Sequence, residues 1–198
     1  MNSFARAWAT RVPWATALAA SAAVVVQLWP DVAPALIYDR TRILTGEAWR
    51  LWTGHWVHLS AAQCCWNLAV LVPAGAWAER IAPQRTRLLL ALGPGIISGV
   101  LLAFDPALAR YAGLSGLAAG LLALLSFTQL SAKDADRWFW WSTLGLLAAK
   151  IGVESFVTQP LFAQYADPAV PAVPLAHVAG VATAGVLHVA RRRNRAAV

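Results

Sequence analysis

Six long apolar segments that carry almost no charge constrain the fold of this chain more than any other feature. Each is about the length that crosses a bilayer as a helix, roughly 20 residues. A spanning segment must satisfy its backbone polar groups internally, so we predict an all-α membrane protein with six transmembrane helices. The segments lie at about 13–29, 59–78, 88–104, 113–130, 138–157 and 172–190, with an outer loop at 30–58.

The composition excludes a soluble globular enzyme. Of the 198 residues, 59% are apolar and only 13% are charged, whereas soluble domains have about 45–50% and about 25%. Six spans use nearly the whole length of the chain. Residues 1–198 are therefore predicted to form a single membrane domain.

The distribution of Lys and Arg predicts the orientation of the helices, because cytoplasmic loops retain positive charge. Leaving aside Lys150 inside the fifth segment, eleven basic residues fall on one side and four on the other. Both termini are therefore predicted to be cytoplasmic. This pattern accounts for most of the net charge of +7, so a nucleic-acid partner is not expected. The four basic residues on the outer side are Arg40, Arg42, Arg50 and Arg110.

A serine and a histidine are predicted to lie at similar depth in the membrane. Ser115 begins the fourth segment within Gly113-Leu114-Ser115-Gly116, and His177 lies near the outer end of the sixth. The N–H groups of a first helical turn can stabilise an anion, and glycines allow close approach. The two residues could therefore be a nucleophile and its general base. The alternative for each is a role in helix packing.

Two amide side chains lie on one face of the second helix. Gln63 and Asn67 are four residues apart, and their N–H groups could form an oxyanion hole or bond to a neighbouring helix. His55 and His58 are three residues apart, which would suit a pair of metal ligands on a helix. No third ligand follows at a suitable spacing, so neither a metal nor another cofactor is predicted.

Three further patterns give local expectations. Tryptophans recur at helical spacing between residues 49 and 56, which favours a helix lying in the outer interface. Cys64 and Cys65 are predicted to be buried small residues, because a disulfide between neighbours is strained. Lys150 and Glu154 could form an ion pair, although Lys150 could instead meet a lipid phosphate or a substrate carboxylate. His188 is expected at the cytoplasmic interface.

The ordered set of motifs resembles the rhomboid family of intramembrane serine proteases, from Trp49 to about Leu187. The serine motif is similar to the family's Gly-x-Ser-Gly, in which Gly113 and Gly116 flank the nucleophile. The segment from Ala176 to Gly180 is similar to its Ala-His-x-x-Gly. The other matching positions, which have structural or oxyanion roles in the family, are Trp49, Arg50, His58, Asn67 and Glu79.

The resemblance implies that Ser115 is the nucleophile and His177 its base, in a dyad without an acidic third member. We likewise expect no aspartate or glutamate at the depth of His177. Asn67 would bind the oxyanion together with the Ser115 N–H. Two positions depart from the family: Gln63 stands where it has a histidine, and Ala119 where it often has a tyrosine. The amide of Gln63 can still donate a hydrogen bond.

A short core of six spans is similar to the rhombosortase branch of the family, which consists of bacterial enzymes. That resemblance implies a membrane-anchored substrate whose C-terminal tail has a Gly-Gly motif, a hydrophobic helix and basic residues. The acyl group would pass to water or to a lipid amine, so membrane lipids are expected partners. The protein would lie in the bacterial inner membrane with its site opening toward the periplasm. The alternatives are a general rhomboid protease that cleaves single-span proteins and an inactive rhomboid-like binder.

Overall fold

The computed structural model describes residues 12–157 and 172–196, with side chains up to residue 190. It is almost entirely α-helical, and its one sheet within these residues has two short strands. Strand β1 (Tyr38–Asp39) pairs antiparallel with β2 (Arg110–Tyr111). In chain order, the described helices are α1 (Trp14–Leu28), α2 (Ala33–Leu36), α3 (Arg40–Leu44), α4 (Arg50–Thr53), α5 (Ala61–Ile81), α6 (Pro83–Phe104), α7 (Ser115–Leu130), α8 (Arg137–Val157) and α9 (Pro174–Ala196).

The all-α architecture is confirmed, and the six longest described helices lie where the sequence has its apolar segments. Their starts follow local chemistry: Ser60 caps α5 by accepting a hydrogen bond from the Gln63 N–H, and Pro83 occupies the first turn of α6. Within the described residues, α6 alone is long and apolar enough to cross a membrane by itself. As many as three spans result if two sharply bent helix pairs are each counted as one.

Helix α7 lies at the centre of the molecule and packs against α5, α6, α8 and α9. Leu117, Leu121 and Leu124 on this helix have no solvent exposure. A helix that is apolar on all sides suits a position surrounded by other helices. The core of the protein therefore forms around the helix that begins with Ser115.

The expected interfacial helix across the three loop tryptophans is wrong. Only Arg50–Thr53 is α-helical there, and a 3₁₀ turn covers Gly54–Trp56. The Trp52 indole N–H donates to the Ala91 carbonyl on α6, and that of Trp56 donates to the Ala19 carbonyl on α1. These indoles fasten the loop to two long helices, and their hydrogen bonds favour a compact turn over a continuous helix.

Arg50 holds the outer loop together from inside. Its side chain is 1% exposed. Its Nε donates to the Glu47 carboxylate at 2.6 Å, and its Nη1 donates to the carbonyls of Pro34 and Ile37 at 2.9 and 2.8 Å. A buried guanidinium is tolerated where its N–H groups are bonded in this way.

The structure refines two local expectations. Cys64 is buried as predicted, but Cys65 is exposed, because only one of two neighbouring helical residues can face the core. His188 is buried against neighbouring elements. Its ring contacts the Arg85 guanidinium at 3.1 Å and the Ser131 hydroxyl at 3.2 Å. Its expected place at the cytoplasmic interface stays a prediction.

Glu79 near the end of α5 caps the start of α1. Its buried carboxylate accepts hydrogen bonds from the N–H groups of Ala15 and Thr16 and from the Thr16 hydroxyl. Arg87 on α6 also donates to it, at 3.0 Å. One acidic side chain thus ties together the ends of three helices and satisfies N–H groups that have no partner within α1.

We expect Glu79→Ala to lower the free energy of unfolding by about 3 kcal/mol, because it leaves N–H groups and a guanidinium without their carboxylate. Unfolding of the detergent-solubilised protein by SDS titration measures this loss. Asp31→Ala, at an exposed acidic residue, should change it by less than about 0.5 kcal/mol. Equal effects of the two substitutions would contradict the capping role.

Candidate active site

A cavity of about 580 Å³ opens among α5, α7, α8 and α9. It is the place where the sequence-predicted polar residues meet. Much of its wall is apolar, with Ala118, Ala119 and Leu122 contributed by α7. The polar side chains that line it include those of Gln63, Asn67, Ser115, Lys150, Glu154 and His177.

Ser115 is the first residue of α7, and the loop before it makes a sharp turn at Gly113. Gly113 has φ +117°, a left-handed conformation that favours glycine. A Cβ there would lie 2.6 Å from Gln63 Nε2 and 3.2 Å from Asn67 Nδ2. Only glycine therefore allows the two amides to contact the turn that leads into Ser115.

Helices α7 and α9 meet backbone to backbone beside Ser115 and His177. A Cβ at Gly116 would come within 2.8 Å of the Ala176 carbonyl, and one at Gly180 would overlap the Gly116 carbonyl. Small residues permit this close approach of helices in a membrane. Because Gly116 follows Ser115 and Ala176 precedes His177, the contact brings the serine and the histidine to one end of the crossing.

The two amides of α5 differ in what they bond. Gln63 accepts from the Leu59 N–H at 2.7 Å and donates from Nε2 to the Ala112 carbonyl at 3.0 Å. It therefore holds the loop that precedes Ser115. Asn67 is also buried, but its Nδ2 has no hydrogen-bond partner among the described residues. That amide is a donor facing the cavity and the Gly113 turn.

An acidic side chain does lie beside His177, contrary to the expectation that none would. Glu154 Oε2 on α8 is 3.3 Å from His177 Nδ1 and 2.5 Å from Lys150 Nζ. The predicted ion pair between Lys150 and Glu154 is thus confirmed. The contact with His177 was missed because it depends on how α8 is rotated toward α9. The one hint in the sequence was the pair of opposite charges, Lys150 and Glu154, within an apolar segment.

The other residues predicted from the sequence are not among the described residues that line this cavity. Trp49 donates its indole N–H to the Ala35 carbonyl in the outer loop. The Nε2 atom of His55 lies 3.0 Å from both the Pro94 carbonyl and the Ser98 hydroxyl. His58 is also buried. No group of three or more potential metal ligands occurs among the described residues.

The fold and the cavity together define a helical membrane protein in which a half-buried serine, a buried histidine and a buried, unpaired amide donor of Asn67 line one site. The Rhomboid domain model matches residues 45–193, which is most of the chain. The chain therefore belongs to the rhomboid family, and its class is intramembrane serine protease acting on membrane-anchored proteins. A comparison with curated proteins finds no match to the chain.

The close contact of α7 and α9 gives a test of how the site is assembled. Gly180→Ala should lower the free energy of unfolding by about 2 kcal/mol, because the added methyl group must push the helices apart. Thermal unfolding in detergent micelles measures the effect. Gly145→Ala is the matched control: a Cβ there meets nothing within 4 Å, and alanine favours the helix by up to about 1 kcal/mol. A stable Gly180→Ala protein would contradict the contact.

Proposed function

We propose that Ser115 is the nucleophile of this protease and His177 its general base. The observation that carries the proposal is that both side chains line one cavity and lie beside the close backbone contact of α7 and α9 at Gly116 and Gly180. Both are held by helices rather than by loops. A nucleophile and a base need such fixed relative positions for proton transfer.

The oxyanion would be bound by Asn67 and by the start of α7. The Asn67 Nδ2 is buried without a hydrogen-bond partner in the described part of the chain, and it faces the turn before Ser115. The Ser115 N–H belongs to a first helical turn, whose N–H groups have no partner inside the helix. Donors left unpaired before the reaction can stabilise negative charge as it develops. Gln63 would act by holding the loop, with Gly113 and Gly116 allowing the close approach.

The reaction then follows the general course of acyl transfer. The Ser115 Oγ forms a bond to the scissile carbonyl carbon, and its proton passes to His177 Nε2. The tetrahedral intermediate collapses, the C–N bond breaks, and the same proton leaves with the amine. Water or another amine then attacks the acyl-enzyme and gives a proton to His177. The C–O bond to Ser115 breaks, and His177 returns the proton to the Ser115 Oγ.

We also propose six membrane spans with both termini in the cytoplasm and the site open to the periplasm of a bacterial inner membrane. The six longest described helices have 15 to 23 residues, a length that suits spans of varied tilt. The excess of Lys and Arg on one side supports the orientation. Ser115 and His177 both lie near the ends of their segments that face away from this basic side.

The substrate that we propose has a C-terminal Gly-Gly motif followed by a hydrophobic helix and basic residues, as in rhombosortases. Ala118 and Ala119 leave the part of the α7 wall next to Ser115 without a bulky side chain. A strand containing two glycines could approach this wall closely. Lipid amines in the surrounding membrane would then be available as acyl acceptors.

A reporter protein with such a tail tests both the proposed role of Ser115 and the proposed substrate. The wild-type protein should release the tail, whereas Ser115→Ala should not, because the nucleophile is absent. Equal processing by both proteins would overturn the role of Ser115. Cleavage of an ordinary single-span reporter, but not of the Gly-Gly tail, would overturn the rhombosortase assignment and favour the general rhomboid protease. The mass of the new C-terminus tells a free acid from a lipid amide.

Asn67→Ala should lower kcat by about 10² to 10³ with little change in KM, because the lost donor stabilises mainly the transition state. Steady-state cleavage of the reporter in detergent measures both constants. Cys65→Ala, at an exposed position on the same helix, should leave both unchanged. An Asn67→Ala enzyme that keeps its kcat would contradict the oxyanion role.

A further inference from the structure

We propose that Glu154 is a positioning residue for His177, in addition to the serine and histidine of the dyad. The inference rests on the function proposed above for Ser115 and His177. The Glu154 and His177 side chains are 3% and 6% exposed, and their Oε2 and Nδ1 atoms are 3.3 Å apart. Glu154 comes from α8 and His177 from α9, so the contact joins two elements of the cavity wall.

The chemical consequence concerns the tautomer of His177. A carboxylate can only accept a hydrogen bond, so a neutral imidazole beside it places its proton on Nδ1. Nε2 is then the unprotonated nitrogen that receives the Ser115 proton. The carboxylate also lies where it can stabilise the positive charge that forms on the ring after proton transfer.

The contact between Glu154 and His177 is close but is not a formed hydrogen bond. The Nδ1–H direction is not aligned for a hydrogen bond to Oε2, since neither ring nitrogen has a hydrogen-bond partner among the described residues. Contacts of this kind are often loose before substrate binds and tighten in the bound complex. Because the two atoms are 3.3 Å apart, only a small movement is needed for a hydrogen bond to form.

Lys150 makes a buried carboxylate tolerable at this place. Its Nζ binds the same Oε2 atom that faces His177. An uncompensated charge inside an apolar segment is costly, and a cation four residues away on the same helix compensates it. The oxygen that binds Lys150 also faces His177 on α9. The same carboxylate can therefore balance the lysine charge and orient the ring.

A fluorophosphonate probe tests the inference without knowledge of the substrate. The Ser115 Oγ–P bond forms and the P–F bond breaks, while His177 takes the hydroxyl proton and fluoride leaves. The rate constant of labelling, kinact, reports activation of the serine, and Ki reports binding of the probe. The variants are Glu154→Gln, which keeps size but removes charge, and Glu154→Asp, which keeps the carboxylate. Ser155→Ala is the matched control on α8, at an exposed residue.

We expect Glu154→Gln to lower kinact at least about tenfold with Ki unchanged. Glu154→Asp should recover part of that loss, because its shorter side chain restores a carboxylate on the same side of the ring at a greater distance. Ser155→Ala should label at the wild-type rate. In ¹⁵N NMR spectra, wild-type His177 should show the Nδ1–H tautomer, and Glu154→Gln should show a mixture, because an amide can donate to Nδ1 as well as accept from it.

Three outcomes would overturn the inference. The first is a Glu154→Gln protein that labels at the wild-type rate. The second is an equal loss in the Gln and Asp variants with an unchanged tautomer, since that result describes a purely structural ion pair. The third is wild-type protein that does not label at Ser115, or a Ser115→Ala protein that labels equally. That last result overturns the proposed function as well, so the two failures are distinguishable.

Discussion

The backbone contact between α7 and α9 is the constraint on which the site depends. Apolar burial gives little preference for one helix pair over another in lipid, so association relies on close packing and hydrogen bonds. Gly116 and Gly180 remove the Cβ atoms that would otherwise separate the two backbones. Ser115 and His177 lie beside this contact, and their relative position follows from it. The glycines would therefore determine the geometry of the proposed reaction without taking a chemical part in it.

Some buried polar residues of the described chain stabilise the fold through several contacts, whereas the Asn67 amide lines the cavity without a partner. Glu79 and Arg50 each bind several groups and thereby fasten helix ends and the outer loop. Asn67 keeps an unpaired buried amide instead. A buried donor without a partner costs free energy, and at an active site that cost is recovered when charge develops beside it.

The sequence was informative about elements and about residues whose chemistry is costly in lipid. The long helices lie on the apolar segments because length and hydropathy are local properties. Ser115, Asn67 and His177 line one cavity, as their predicted depths suggested. The contact of Glu154 with His177 was not predictable, because it depends on the rotation of α8 about its axis, which no local pattern specifies. For the same reason the sequence could not show that Gln63 bonds to the Ala112 carbonyl.

The charges of the site suggest why a protease inside a membrane can carry a carboxylate near its base. At rest, the ion pair of Lys150 and Glu154 has no net charge, so its cost in apolar surroundings is moderate. Attack by Ser115 would create a positive imidazolium and a negative oxyanion at opposite ends of the cavity. Glu154 lies beside the first charge, and the Asn67 amide lies toward the second. The fixed groups would thus match a separation of charge that lipid could not solvate.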